Sequence, residues 1–132
     1  QIIAKLTPTR GVKVKPRVDL VVEFDYNSDK IQSQAEKQIE NLAKAMKSPN
    51  LANNSFTLAG HTDSRGSDSY NKDLSERRAK TLLKKLVQDY SVDENRLFAV
   101  GYGKNHLKVN NEKNEDDFRK NRRVEIILGK EE

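Results

Sequence analysis

The stretch FTLAGHTDSRGSDSYNKDLSERRA, residues 56–79, decides how the chain is read. Phe56, Thr57, Leu58 and Ala59 form an apolar run of strand length, and Gly60 ends it. His61, Thr62 and Asp63 are thereby delivered to the rim of a sheet, followed by a polar loop that turns through Arg65-Gly66 into an amphipathic helix. Binding groups concentrate on loops held by a rigid scaffold, so this junction is where a ligand is expected.

Outward from it, residues 18–24 (VDLVVEF), 96–100 (RLFAV) and 124–128 (VEIIL) are β-branched and apolar and are predicted strands. In residues 32–47 the apolar positions Ala35, Ile39, Leu42, Ala43 and Met46 recur at steps of three and four, which predicts a helix stopped by Pro49. A second helix is expected from Asn71 or Asp73 to Tyr90, with Ala79, Leu82, Leu83, Leu86 and Tyr90 toward the core. Asp25 to Asp29 break the first strand. Residues 104–121 are charged and read as a long loop with a helical turn near Glu115 to Lys120. Residues 1–17, punctuated by Pro8, Gly11 and Pro16, read as a linker or an edge strand at 12–14, ahead of one domain over 18–132. The order strand, helix, strand, helix, strand, strand predicts an α+β two-layer sandwich, a mixed sheet with helices on one face.

Composition narrows the chemistry. The 132 residues suit one domain; hydrophobic and charged residues each make up 34%. Lys and Arg total 25 against 20 Asp and Glu, a net charge of +5 that favours an anionic partner without naming it. No cysteine is present, which excludes disulfides, thiolate metal sites and a cysteine nucleophile. No apolar run approaches the ~20 residues of a membrane helix, so a soluble module is expected. A chain beginning at Gln1 reads as a processed or excised fragment, with any anchor upstream.

Helix geometry separates two neighbouring arginines. At about 100° per residue, Arg77 falls opposite Leu82, Leu83 and Leu86 and faces water, whereas Arg78 flanks the apolar stripe. A guanidinium there needs a carboxylate or phosphate partner. Asp63, Asp73 or Glu125 supplies it in a purely structural reading. In a functional one, Asp63 faces an ammonium and Arg78 a carboxylate across a cleft, and together they grip a zwitterion. Spacing alone leaves both open. Neither a metal site nor a catalytic site is expected: the chain has two histidines, His61 and His106, Ser75 lacks a nucleophile-elbow context, and Gly101-Tyr102-Gly103 lacks phosphate-loop spacing. Lys120 to Arg123 lack the interleaved aromatics of a nucleic-acid surface.

Gly60-His61-Thr62-Asp63, Gly66, Tyr70-Asn71, Leu74-Ser75-Glu76-Arg77-Arg78-Ala79, Gly101-Tyr102-Gly103 and Asn121-Arg122-Arg123-Val124-Glu125 together resemble the signature of the OmpA-like peptidoglycan-binding domain over residues 18–128. The resemblance implies an α+β sandwich, no enzymatic activity and no cofactor. It also implies non-covalent attachment to the peptide stem of peptidoglycan at meso-diaminopimelate. It carries over Asp63 and Arg78 as the contacts to the amine and carboxylate. Thr62, Asn71 and Leu74 match neighbouring positions, Phe24 and Asp25 match a strand end that closes the pocket, and Arg122 resembles a groove residue. It implies a periplasmic location, attached to the outer membrane, or to the inner membrane in a motor stator. A structural or protein-interaction module of the same fold without wall binding is the alternative. His106-Leu107 stands where many members have proline, and residues 110–119 carry no glycine, which leaves the path of that loop open.

Overall fold

The computed structural model describes residues 2–6, 16–20, 24 and 29–130. Strand β1 (Arg17–Leu20), helix α2 (Glu36–Met46), strand β2 (Phe56–Gly60), helix α3 (Asp68–Tyr90), strand β3 (Leu97–Gly101), helix α4 (Glu115–Asn121) and strand β4 (Val124–Leu128) follow a first short helix, α1 (Ile2–Leu6). The edge strand expected at 12–14, residues 21–23 of the first strand and the turn at 25–28 lie outside the described residues.

The sheet order is β1-β4-β2-β3. β4 runs antiparallel to both β1 and β2, whereas β2 and β3 are parallel and joined through α3, so the sheet is mixed. Register aligns Leu97, Phe56 and Leu128 in one row and Ala99, Leu58 and Ile126 in the next. Because alternate strand residues share a face, these rows form the sheet's half of the core, and Ile39, Leu42, Met46, Ala79, Leu82 and Leu86 cover them from α2 and α3. Every residue of β2 is buried, as befits a central strand enclosed on both sides. The expected two-layer α+β sandwich is therefore the architecture.

Two local expectations change. The helix expected from Asn71 or Asp73 begins at Asp68, because the Ser67 side chain accepts a hydrogen bond from Tyr70 N (3.2 Å) and an acidic residue opens the first turn. Asp68 and Ser69 are exposed, so apolar periodicity carries no trace of that turn. Within the stretch read as a linker or edge segment, Ile2–Leu6 is helical and inserts a fully buried Leu6 into the core. Five residues are too few to display a helical period. The helical turn expected near Glu115 to Lys120 is present and extends to the seven-residue α4, capped by Asn114, whose side chain accepts from Asp117 N (3.0 Å).

The last residue of α4, Asn121, is fully buried and organises the loop before it. Its Oδ1 accepts from Lys108 N (2.7 Å) and Val109 N (2.8 Å), while Nδ2 donates to Val109 O (2.9 Å) and Glu112 Oε2 (2.6 Å). The loop that lacks glycine and proline is thus held by one amide.

The third row of the sheet contains glycine on both parallel strands, Gly60 beside Gly101. A Cβ on Gly60 would lie 2.2 Å from Ser75 O, and one on Gly101 2.4 Å from Glu76 N. α3 therefore rests directly on backbone at this point. Ser75 Oγ donates to Lys72 O (3.0 Å) and accepts from Gly103 N (2.9 Å), which locks the contact. Since the clashing atoms are main chain, Gly60→Ala and Gly101→Ala are each expected to cost about 2–3 kcal/mol or more in urea unfolding. A loss below about 0.5 kcal/mol in both would contradict this account of the helix–sheet approach.

Candidate binding site

Beyond Gly60 the chain stays tied to the sheet. His61 N donates to Arg123 O (2.9 Å) and Thr62 N to Gly103 O (2.8 Å), so the strand end is held on both sides. Thr62 Oγ1 donates to Asp63 O (2.9 Å). The loop then folds back on Asp63: Arg65 N donates to Asp63 Oδ1 (3.0 Å), a carboxylate-centred turn of the kind aspartate favours. Gly66 follows with φ +92, a backbone conformation that side chains disfavour. The buried Asn71 side chain fastens the loop to α3 by donating to Arg65 O (2.7 Å).

These elements enclose a cleft of about 460 Å³. Thr62, Asp63, Asn71, Leu74 and Arg78 line it, with Phe24 on one side and Arg122 on the other. Asp25 lies outside the described residues. Four further residues line the cleft: Arg65, Gly66, Tyr70 and Glu115. Tyr70, Leu74 and Arg78 are spaced by four and so share one helix face; a helix begun at Asn71 hides that pattern. Nothing in the sequence marks Glu115, which α4 brings across.

The two arginines of α3 separate as helix phase predicts. Arg78 is 8% exposed and stands in the cleft with its guanidinium carbon 4.8 Å from the centre of the Phe24 ring. The Arg77 side chain is 41% exposed and pairs with Asp73 (2.8 Å) and Asp29 (3.4 Å) away from it. The three carboxylates considered for Arg78 each engage other side chains: Asp73 pairs with Arg77, Glu125 with Arg17 and His61, and Asp63 with Arg65 and Arg122. Burial, reinforced by the nearby Arg122, lowers the Arg78 pKa from its ordinary value. Arginine nevertheless stays charged, so a partly desolvated cation faces the cleft.

Asp63 is the anionic counterpart. Burial alone would raise its pKa, but hydrogen bonds from the Arg65 side chain and backbone and from Arg122 outweigh it and hold the carboxyl below its usual range. Arg122 Nη1 donates to Asp63 Oδ2 (3.1 Å) and Nη2 to Glu115, which bridges the loop to α4. The next residue, Arg123, is buried and donates instead to Asn121 O (3.4 Å) and His106 O (3.2 Å).

The histidines lie elsewhere. His61 packs against Tyr102 and His106 with ring centroids 5.6 Å and 6.2 Å apart, and neither histidine lines the cleft. His61 Nε2 donates to Glu125 Oε1 (3.3 Å) in its neutral form, while the buried Nδ1 has no hydrogen-bond partner. Among the described residues, no group of three or more His, Cys, Asp and Glu side chains is placed to hold a metal ion. No helix among them is long and apolar enough to cross a membrane.

Comparison with known proteins gives concordant results. The model of the OmpA family matches residues 23–122. Outer membrane porin F of Pseudomonas aeruginosa is 43% identical over 95 residues, covering 72% of this chain and 27% of that protein. The peptidoglycan-associated lipoprotein of the same organism is 36% identical over 103 residues, covering 78% of this chain and 58% of that one. The chain thus spans 27% to 33% of the porin F relatives it matches. Among solved structures, the peptidoglycan-associated lipoprotein from Burkholderia pseudomallei superposes with TM-score 0.71 at 26% identity, covering 81% of this chain and 87% of that one. The periplasmic domain of Helicobacter pylori MotB gives 0.75 at 25% identity, covering 92% and 80%.

The ion pairs on the sheet's other face generate a pH dependence. A hydrogen bond from His61, opposed by burial and aided by Arg17, depresses Glu125 to about 2 from the 4.5 of a free glutamate. A depressed carboxyl stabilises the fold above its unfolded pKa and loses that contribution as pH falls from 4.5 toward 2. Burial also lowers the His61 pKa below 6.5, so protonation there favours the unfolded chain as pH falls through that value. Urea midpoints are expected to decline below about pH 6 and steeply below about 4.5. Glu125→Gln should be less stable at pH 7 and show a shallower acid limb. An acid limb parallel to wild type would rule out Glu125 as its source.

Proposed function

This chain belongs to the OmpA family, and from that premise we propose that its cleft binds the peptide stem of peptidoglycan non-covalently and so tethers an envelope component to the cell wall from the periplasm. The ligand group is meso-diaminopimelate, whose side chain ends in a carbon bearing both an ammonium and a carboxylate. Arg78 takes the carboxylate with a bidentate guanidinium, Asp63 takes the ammonium, and Phe24, Leu74 and Tyr70 accommodate the methylene chain. Thr62, Asn71 and Arg122 hold the loop and the Asp63 carboxylate in position. No chemical step is required.

The observation that carries this reading is the placement of a partly desolvated guanidinium, Arg78, and a carboxylate, Asp63, in the walls of one 460 Å³ cleft. Several relatives are peptidoglycan-associated lipoproteins by name, which supports a wall ligand. The alternative, a structural module without wall binding, draws on one observation: Arg65 and Arg122 already engage Asp63.

Titration with a diaminopimelate-containing muropeptide, followed by amide shifts, separates the two. Shifts confined to residues 60–79 and the neighbourhood of Arg122 are expected. Asp63→Ala and Arg78→Ala should each weaken binding by about tenfold or more, since a charge-assisted hydrogen bond contributes ~1.5–3 kcal/mol. Arg77→Ala, whose side chain points away from the cleft, should bind like wild type. Unchanged spectra at millimolar ligand, or wild-type affinity in Asp63→Ala, would exclude the diaminopimelate reading.

A further inference from the structure

The Asp63 carboxylate accepts four hydrogen bonds: Oδ1 from Arg65 N (3.0 Å) and Nε (3.2 Å), Oδ2 from Arg65 Nη2 (2.7 Å) and Arg122 Nη1 (3.1 Å). A carboxylate offers about four lone-pair directions. All are taken, so an incoming ammonium finds no acceptor until one donor leaves.

The four donors differ in how easily they can go. The Arg65 backbone N–H is fixed in the loop, because Asn71 fastens the carbonyl of the same residue. Arg122 is tied at its other nitrogen to Glu115, and its side chain is 30% exposed. The Arg65 side chain is 55% exposed and, besides its bonds to Asp63, stacks with its guanidinium carbon 4.1 Å from the centre of the Phe118 ring. It also has somewhere to go: Glu115, whose Oε1 accepts from Arg122, is near enough to act on its charge.

We propose that Arg65 is a built-in competitor for the ligand's cation. In the ligand-free cleft its guanidinium occupies the position that the ammonium takes on Asp63, and binding requires it to swing toward Glu115 while keeping its stack on Phe118. This rests on the zwitterion-binding function proposed above and makes Arg65 the residue that sets affinity. The competitor keeps Asp63 charged and satisfied when no ligand is present, where an unpaired, nearly buried carboxylate would be costly. It also raises the threshold for ligands: a cation alone must replace a two-point contact from the Arg65 side chain with nothing gained elsewhere. A zwitterion brings a carboxylate for Arg78 at the same moment.

The test is a muropeptide titration, by calorimetry and by 1H–15N spectra that include arginine Nε–H signals, on wild type, Arg65→Ala and Arg65→Gln. Both variants should fold normally, since the side chain is largely exposed. Each should bind the diaminopimelate muropeptide roughly two- to tenfold more tightly than wild type, the range expected for removal of one exposed competing pair. In wild type, the Arg65 Nε–H signal should move at the same ligand concentrations as the amides of Thr62 and Asp63. Wild-type binding with equal or weaker binding by both variants would overturn the competitor role and leave the proposed function standing. Absence of binding by wild type and variants alike would overturn both.

Discussion

The structure depends on the close approach of α3 to the parallel pair β2 and β3. Two glycines in register, Gly60 and Gly101, remove the side chains that would otherwise separate helix from sheet, and the helix backbone at Ser75 and Glu76 settles into the space. Asp63 lies three residues beyond Gly60, and Arg78 three beyond Ser75. The distance between the acidic and basic walls of the cleft is therefore set by main-chain contact, the least compressible contact a protein can make. The Ser75 hydroxyl, bridging Lys72 O and Gly103 N, adds direction to that contact. A binding site for a ligand with two charges on one carbon needs such a fixed separation more than it needs depth.

Around this frame the cleft is lined by both signs of charge. Among the described residues its walls carry three guanidinium groups and two carboxylates. Both carboxylates are occupied, Asp63 by Arg65 and Arg122 and Glu115 by Arg122. Burial first, and the neighbouring Arg122 second, depress the pKa of Arg78. The ion pairs of the other sheet face, Glu125 with His61 and Arg17, serve stability and not recognition, since none of them reaches the cleft.

Much of this arrangement was legible from residues alone, for reasons that can be named. Strong periodicity exposed α2 and the core of α3, and a continuous apolar run exposed β2. The phase of α3 was enough to send Arg77 outward and Arg78 inward. What escaped were features held by single polar contacts or by burial from a distance. The first turn of α3 depends on the Ser67 cap and α1 on the insertion of Leu6. The partners of Asp63 escaped as well. Arg65 was visible only as a turn neighbour, and Arg122, 59 residues from Asp63, reaches it through the pairing of β4 with β2.

The hold of Asn121 on the preceding loop has a consequence for how this molecule can change. Within residues 104–114 one buried amide clasps Lys108, Val109 and Glu112. Chain added or removed between Val109 and Glu112 leaves that clasp intact, and the entropy of closing a longer loop grows only slowly with its length. Arg122, next in sequence to the clasp, stays where it is. Asn110 and Asn111 are exposed and take no part in the clasp, so the rim of the cleft is most open to change at these two positions.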